Sequence, residues 1–317
     1  MKSCRWNVVA PVLAAIVLLS TPRAAWSQRI AVLTTDSLTS TQRSVTGEKS
    51  VIRAQNPQAE FREFFLKPGV TTEPKILDSI KAFNPGLFLT VGSAATQFAQ
   101  TNFKSTPVVF CAVMYPVISG FVESFAHPGG NITGSSLSIP ADIQFRYFKQ
   151  IVPKLGRLGV LYTDNTASLI PPTKAIAQQM GLKLVAIKID NERQLAPALD
   201  SLAGNVDGIW SVADPNLFNP QSTKFILINA LRRGLPLMGF SRNVVESGAL
   251  FALDFDYKAI GRQAGELANQ ILIGASAGSL SVTTPDIIWF HYNEKTAQHM
   301  SITIPQELVA IAKEVYR

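Results

Sequence analysis

Short apolar segments alternate with amphipathic segments along the first half of the chain. Four runs rich in apolar and β-branched residues occupy positions 29–33, 60–66, 87–91 and 107–113. Because these runs are continuously apolar, they predict strands that are buried on both faces of a parallel sheet. The segments 40–55 and 71–83 lie between them and predict helices, since Ile76, Ile80 and Phe83 recur at helical spacing in the second segment.

The same alternation begins again after Pro153. Apolar runs recur at 158–162, 183–189, 208–212, 236–240 and 249–253. Amphipathic segments that predict helices occupy 173–180, 192–202, 222–233 and 257–273. The chain then continues with an extended segment over 281–290 and a final amphipathic helix over 305–316. The pattern therefore predicts an α/β protein with two Rossmann-like lobes, each built on a parallel central sheet.

The two series meet in the sequence from Pro128 to Gly134. Three glycines and one proline in seven residues neither extend a helix nor fill a central strand, so the chain must turn or cross there. We expect a hinge strand in or beside this segment.

Residues 1–27 have the three parts of a cleavable secretory signal. Lys2 and Arg5 form a basic start, an apolar run extends from Val8 to Leu19, and a small-residue tail precedes the expected cleavage after Ser27. The run is too short for a membrane anchor, which needs about 20 residues. Cys4 precedes the run, so no lipobox is present. We expect a free protein in the periplasm.

Charge and cysteine content exclude several classes of protein. The net charge is +7, but three basic residues lie in the acid-free N-terminal segment, and the other basic residues are scattered singly rather than clustered. Nucleic-acid binding is therefore not expected. Cys111 is the only cysteine after the N-terminal segment, so no intramolecular disulfide is possible in the mature chain and the thiol is expected to be buried.

Motifs of enzymes and metal sites are missing from the sequence. None of the three histidines has a histidine or cysteine at metal-ligand spacing, and no phosphate-binding Gly-x-x-x-x-Gly-Lys loop occurs. A Gly-x-Ser-x-Gly pattern occurs at 274–278, but it follows a predicted helix and not the strand that a nucleophile elbow needs. We therefore expect no catalytic residue, no metal and no cofactor. A periplasmic hydrolase remains the least favoured alternative, because it needs a polar triad that we do not find.

About ten short motifs in order resemble the ABC transporter substrate-binding protein family, in its tryptophan- and tyrosine-type branch. The motifs that carry the resemblance are 92–96, 107–110, 115–120, 128–134, 159–162, 248–250, 256–257, 261–265, 271–274 and 293–297. This resemblance implies the type I periplasmic binding protein fold, with a three-crossing hinge. It also implies a first lobe over 29–134 and 254–285 and a second lobe over 138–250 and 288–317.

The same resemblance implies an importer's binding protein that meets a permease. Its ligand would be a small molecule, with an aromatic or other amino acid as the first candidate, and its membrane contact would be only through the permease. A monomer is expected. A sensory protein that reports to a membrane receptor or histidine kinase remains the alternative. Two departures from the family pattern, at Asp36 and at Tyr115-Pro116, indicate that the ligand differs from those of better-known members.

Ligands of open α/β sheets bind beyond the carboxyl ends of the strands. This rule selects twelve candidate ligand-binding residues, which are Thr35, Asp36, Gly92, Ser93, Ala94, Tyr115, Tyr162, Asn165, Thr166, Asp214, Phe240 and Asp254. For an amino-acid ligand we expect Ser93 to hold a carboxylate, Asp214 or Asp36 an ammonium group, and an aromatic residue the side chain. For each residue a helix cap, a turn or the core is the alternative role.

Overall fold

The computed structural model describes residues 28–67 and 73–317 of the 317-residue chain. The predicted signal segment 1–27 lies outside the described residues, as do the first two residues of the helix predicted over 71–83. Among the described residues, no helix is both long enough and apolar enough to cross a membrane.

The first half of the chain builds a five-stranded parallel sheet in the order β2-β1-β3-β4-β5. Its elements are β1 (Arg29–Thr34), α1 (Thr39–Gln55), β2 (Glu60–Phe65), α2 (Pro74–Phe83), β3 (Leu87–Val91), α3 (Ser93–Asn102), β4 (Val108–Val113) and β5 (Ile132–Ser136). Ile30 and Leu33 of β1 are fully buried in two different clusters, one on each face of the sheet. The segment of continuous apolar residues is therefore buried on both faces, as predicted. β2 departs from this pattern because it is an edge strand, and Phe65 is 55% exposed.

The second half builds a seven-stranded sheet in the order β12-β11-β10-β9-β8-β6-β7, and only the β10–β11 pair is antiparallel. Its elements are α4 (Ala141–Ile151), β6 (Arg157–Tyr162), α5 (Ile170–Gln179), β7 (Lys183–Lys188), α6 (Leu195–Leu202), β8 (Gly208–Trp210), α7 (Pro220–Arg232), β9 (Leu237–Gly239), α8 (Arg242–Glu246), β10 (Phe251–Phe255), α9 (Tyr257–Leu272), β11 (Ile288–Asn293), α10 (Glu294–His299), α11 (Gln306–Ile311) and β12 (Ala312–Tyr316). Two mostly parallel sheets confirm the predicted α/β class.

The chain passes between the two sheets three times. It leaves the first sheet after β5, returns after β10 to place α9 against α1, and leaves again after Thr283, which forms a bridge with Ser135. Gly261 of α9 makes this return possible, because a Cβ atom there would lie 3.0 Å from Ser44 Cα and against the Ser44 carbonyl oxygen. The hinge strand expected near residues 128–134 is β5, which forms one edge of the first sheet. The residue limits of the two lobes stay a prediction.

Two predictions for the C-terminal part of the chain are wrong. The helix expected over 305–316 ends at Ile311, and the remaining residues form strand β12. The apolar and polar residues of this segment fit the alternation of a strand as well as the period of a helix. The edge of β11 offers backbone hydrogen bonds, and these favour the strand. The extended segment expected over 281–290 becomes a sheet strand only from Ile288 onward.

The α1–α9 contact encloses one carboxylate, that of Glu48. This side chain is completely buried, and within the described part of the chain neither of its oxygens has a hydrogen-bond partner. Burial raises the pKa of Glu48 well above its ordinary value, although the charge of Lys49 acts in the opposite direction. Burial therefore favours the protonated form of Glu48 in the folded chain, while the side chain ionises freely after unfolding.

We expect this difference to lower the stability of the folded chain as the pH rises. Below the unfolded pKa of about 4.3 both states bind the proton; above it, the unfolded state gains about 1.4 kcal/mol per pH unit until the folded pKa is reached. Glu48→Gln should remove this slope from the free energy of unfolding. Urea titrations of the wild-type chain and of Glu48→Gln at pH 5.5 and 7.5 measure this slope. Equal pH dependence in the two proteins would contradict the assignment.

Candidate functional site

A cavity of about 730 Å³ lies between the loop that follows β4 and the carboxyl ends of β8, β9 and β10. The first turn of α4 and the start of α5 complete its wall, through residues such as Ala141 and Pro172. Its volume is typical of ligand sites for small organic molecules. The cavity therefore lies where the sheet-edge rule places ligands, with walls from both halves of the chain.

The wall of the cavity is mainly apolar and aromatic. Its aromatic residues are Tyr115, Phe125, Trp210, Phe240 and Phe255. Among the described residues that line it, none is an aspartate, glutamate, lysine, arginine or histidine. The cavity is thus suited to a flat, apolar group and supplies polarity only through hydroxyl, amide and backbone groups.

Tyr115 connects the two halves of the cavity wall. It follows β4 of the first sheet, and its hydroxyl donates a hydrogen bond of 3.2 Å to the carbonyl oxygen of Ala213, which follows β8 of the second sheet. Burial raises the pKa of the Tyr115 hydroxyl, and the charge of nearby Asp214 adds to this effect. Tyr115 is therefore a neutral donor that joins the two sheets at the cavity.

Trp210 is held rigidly in the second half of the wall. Its indole Nε1 donates to Gln144 Oε1 at 2.8 Å, and Gln144 Nε2 in turn donates to the Ile139 carbonyl oxygen at 2.7 Å. The Phe145 ring meets the Trp210 ring edge-on at 5.4 Å. With its one donor paired, the indole presents an apolar surface.

Phe240 is the second of the sequence-predicted site residues that lines the cavity, Tyr115 being the first. The ring packs edge-on against Phe218 with centroids 5.0 Å apart. It follows β9, so it is at the carboxyl end of a strand, as the sequence rule required.

Apart from Tyr115, the predicted residues of the first sheet do not line the cavity. Thr35 and Asp36 follow β1, and Asp36 Oδ1 accepts hydrogen bonds from Leu38 N at 3.0 Å and from Thr41 Oγ1 at 2.6 Å. The Asp36 carboxylate therefore stabilises the turn that precedes α1.

Gly92, Ser93 and Ala94 form the turn between β3 and α3. Gly92 has a φ of 82°, which favours glycine, and its carbonyl oxygen accepts the Thr96 hydroxyl at 2.9 Å. Ser93 and Ala94 are exposed, and neither contributes to the cavity.

Asp214 is buried in the loops of the second sheet, directly after the cavity residue Ala213. Its Oδ2 accepts from Thr163 N at 3.1 Å, from Thr163 Oγ1 at 2.7 Å and from Thr166 Oγ1 at 2.7 Å, while Oδ1 accepts from Asn216 N at 3.0 Å. The carboxylate joins the loop after β6 to the loop after β8. Tyr162 is the last residue of β6, and the exposed Asn165 belongs to the loop that follows it. Both lie outside the cavity wall.

Asp254 faces the side of β10 that is opposite to the cavity. Because alternate residues of a strand face opposite sides, Leu253 and Phe255 line the cavity while Asp254 does not. Its Oδ1 accepts from Phe255 N at 2.9 Å, and burial raises the pKa of its carboxyl group. The neighbouring His291 is buried, and burial lowers its pKa despite the charges of Asp254 and Glu314.

Sequence reasoning missed most of the cavity wall. The first turn of α4, the start of α5 and the run Trp210–Ala213 all contribute to it. A clue was available for the last of these, because the run directly precedes Asp214 at the end of a predicted strand. Among residues 28–67 and 73–317, no group of three or more histidine, cysteine, aspartate or glutamate side chains is arranged to hold a metal ion.

Comparison with known proteins gives three findings. The family model described as "ABC transporter substrate binding protein" matches residues 71–316. A tyrosine-binding protein from Clostridioides difficile strain R20291 is 28% identical over 219 residues, which are 68% of this chain and 63% of that protein. The match thus spans less than two thirds of the relative's length.

Two solved structures share the fold. One is a domain in complex with L-Trp from Streptococcus pneumonia, with TM-score 0.65 and 23% identity over 90% of this chain and 99% of that one. The other is the ligand-free, open structure of a substrate binding protein with adhesive properties from Clostridium difficile, with TM-score 0.75 and 21% identity over 91% and 99%. The predicted two-lobed binding-protein fold is confirmed.

Proposed function

Because this chain belongs to the ABC transporter substrate-binding protein family, we propose that it captures a small solute in the cavity between its two sheets and delivers it to an importer. The single observation that supports this most strongly is the cavity of about 730 Å³ with walls from both sheets. A solute bound there contacts both halves at once, so its binding energy favours the arrangement in which they are close together.

An aromatic part of the solute fits the wall best. Tyr115, Trp210 and Phe240 supply flat surfaces, and the Trp210 indole is fixed by Gln144. The relatives point in the same direction, since one is a tyrosine-binding protein and one solved structure contains L-Trp. We therefore place an aromatic group of the solute between these rings.

The proposed role requires a position outside the cytoplasm, where substrate-binding proteins of this family work. Removal of residues 1–27 would leave a periplasmic chain that begins at Gln28. We propose a monomer that meets the membrane only through a permease, and that releases its solute chemically unchanged. Mass spectrometry of the exported chain tests the removal of residues 1–27, and light scattering of the purified protein tests the monomer.

Solute binding should raise the unfolding temperature, and filling the cavity should abolish the effect. A solute at 100 times its Kd adds about 2.7 kcal/mol to the stability of the folded chain. Ser168 is an exposed residue of the cavity wall, so Ser168→Trp places an indole in the cavity without disturbing the core. Ser201→Trp, on the exposed side of α6, is the matched control. The unfolding temperatures of the wild type and the two variants are compared with and without aromatic solutes, sugars, peptides and purines.

Loss of the response in Ser168→Trp and its retention in Ser201→Trp would support the cavity as the site. A solute that stabilises all three proteins equally would contradict it. Uptake of the labelled solute by cells with and without the gene then separates transport from sensing, because a sensory protein leaves uptake unchanged.

A further inference from the structure

The two halves of the cavity wall are joined by a hydrogen bond that involves only the protein. The Tyr115 hydroxyl, after β4 of the first sheet, donates to the carbonyl oxygen of Ala213, after β8 of the second sheet, at 3.2 Å. Both residues line the cavity, and neither belongs to the three segments that cross between the sheets. The bond can therefore form only when the two sheets are close together.

The donor is held in place relative to the first sheet. The carbonyl oxygen of Tyr115 accepts from Ser119 N at 2.9 Å, so the loop folds back on itself. The preceding carbonyl oxygen, that of Met114, accepts the hydroxyl of Ser136 at 3.2 Å and the hydroxyl of Ser138. Ser136 is the last residue of β5, and Ser138 lies in the segment that leaves the first sheet. The loop that carries Tyr115 is thus attached to the first crossing.

The acceptor is held in place relative to the second sheet. Asp214, which follows Ala213, accepts the backbone nitrogen and the hydroxyl of Thr163 and so fixes the loop after β8 to the loop after β6. Ser211 donates twice to the carbonyl oxygen of Met238, from its backbone nitrogen at 3.2 Å and from its hydroxyl at 2.5 Å. Two groups that are already fixed lose little conformational freedom when they meet.

We propose that Tyr115 is a latch whose hydroxyl holds the two sheets together over the cavity before a solute binds, so that the chain closes part of the time without solute. The proposal rests on the proposed function, because it concerns closure of the same cavity. Donor and acceptor both belong to the protein, so the bond favours closure whether or not a solute is present. A solute that needs the closed arrangement then binds more tightly, in proportion to the fraction of chains that are already closed.

Removal of one hydroxyl tests the latch, because Tyr115→Phe keeps the ring in the cavity wall. Loss of a hydrogen bond of average net strength changes an equilibrium about fivefold. Without solute, we expect the ratio of time spent closed to time spent open to fall about fivefold in Tyr115→Phe. Tyr147→Phe is the matched control. Its ring stacks on Phe290 outside the cavity wall, and within the described part of the chain its hydroxyl has no hydrogen bond.

Single-molecule fluorescence transfer measures the closed and open times. Two dyes are attached at Ala94→Cys in the first lobe and at Asn165→Cys in the second, since both positions are exposed. Cys111 is buried, so a chain without these two substitutions should take up no dye. Each mature chain is unfolded, dialysed and refolded to remove any solute that purifies with it. Thermal unfolding then verifies that Tyr115→Phe and Tyr147→Phe are folded.

The latch is supported if Tyr115→Phe lowers the ratio while the transfer efficiencies of the closed and open forms stay the same and Tyr147→Phe equals the wild type. An unchanged ratio, an equal fall in Tyr147→Phe, or one constant transfer efficiency in every chain would overturn it. A shifted efficiency of the closed form would also overturn it, because the hydroxyl would then shape the closed arrangement instead of holding it.

Failure of the latch and failure of solute capture are distinguishable, because the fluorescence experiment contains no solute. A chain whose ratio is insensitive to Tyr115→Phe, but whose unfolding temperature rises with a compound of the solute panel, loses the latch and keeps the proposed function. A chain that responds to Tyr115→Phe as expected, but that no compound of the panel stabilises, keeps the latch and loses the support for capture.

Discussion

A chain with Gly261→Ala is expected to lose about 3 kcal/mol of its free energy of unfolding, which is large for the addition of one methyl group. The new Cβ would lie against the Ser44 carbonyl oxygen, 2.9 Å from Ser44 C and 3.0 Å from Ser44 Cα. All three are backbone atoms of α1, so no side chain can rotate away. The clash is relieved only when α1 and α9 move apart.

Movement of α9 has further consequences for the hinge. Gly47 of α1 faces α9 just as closely, since a Cβ there would lie 2.9 Å from Arg262 N. At the start of α9, Asp256 caps the helix and pairs with Arg43 of α1 at 2.9 Å. A shift of α9 would therefore loosen the attachment of one of the three crossings to the first sheet.

Gly156→Ala is the matched control for this prediction. Its added Cβ would meet only Asp207 Oδ2 at 3.6 Å, which is an ordinary contact, and Gly156 is not among the glycines with positive φ. We expect its free energy of unfolding to stay within about 1 kcal/mol of the wild type. Urea unfolding of the three proteins measures the difference. Similar stability of Gly261→Ala and Gly156→Ala would show that α1 and α9 are not in close contact.

The Asp214→Ala chain should be destabilised by roughly 3 to 5 kcal/mol, the range for breaking a buried charged network. Asp214 is 1% exposed and accepts hydrogen bonds from two backbone N–H groups and two hydroxyls. Alanine leaves these four donors without their acceptor. The loops after β6 and β8 would then lose the group that joins them.

An aspartate from the loop after β6 provides the control. Asp164 pairs with Lys188 at 2.9 Å, but its side chain is 83% exposed, so Asp164→Ala should cost no more than about 1 kcal/mol. Urea unfolding measures the free energy of unfolding of the wild type, Asp214→Ala and Asp164→Ala. The experiment also tests the role expected for Asp214 from sequence. If Asp214 contacts the solute, Asp214→Asn would weaken solute binding as well as lower the free energy of unfolding, because its amide nitrogen would face donors that both carboxylate oxygens now accept.

The sequence predicted the architecture well because each prediction depended on local pattern. The segment at Ile30–Leu33 is apolar at every position, and only a strand covered on both faces can bury it completely. Gly261 and Gly265, four residues apart, predict close packing of α9 on a sheet, and in the structure a Cβ at either position would meet backbone atoms of α1. The family was recognisable from ordered short motifs, and the match over residues 71–316 confirms it.

Most of the twelve candidate site residues lie away from the cavity, and particular residues show why. Tyr115 and Phe240 line the cavity as expected, while the other ten selected residues lie outside its wall. Asp36 and Asp214 were selected as partners for an ammonium group, yet each accepts hydrogen bonds from its own loops. Whether any of the twelve contacts the solute stays a prediction.

By itself, the sequence determined the elements that local periodicity specifies, together with their order, the doubling of the α/β unit and the family. The tertiary structure alone decided that residues 312–316 pair with β11, that Asp254 and Leu253 face opposite sides of one strand, and which loop ends meet around the cavity. The physical reason is that periodicity is set by neighbours in sequence. A cavity wall, by contrast, depends on how distant segments such as Tyr115 and Ala213 are brought within hydrogen-bonding distance.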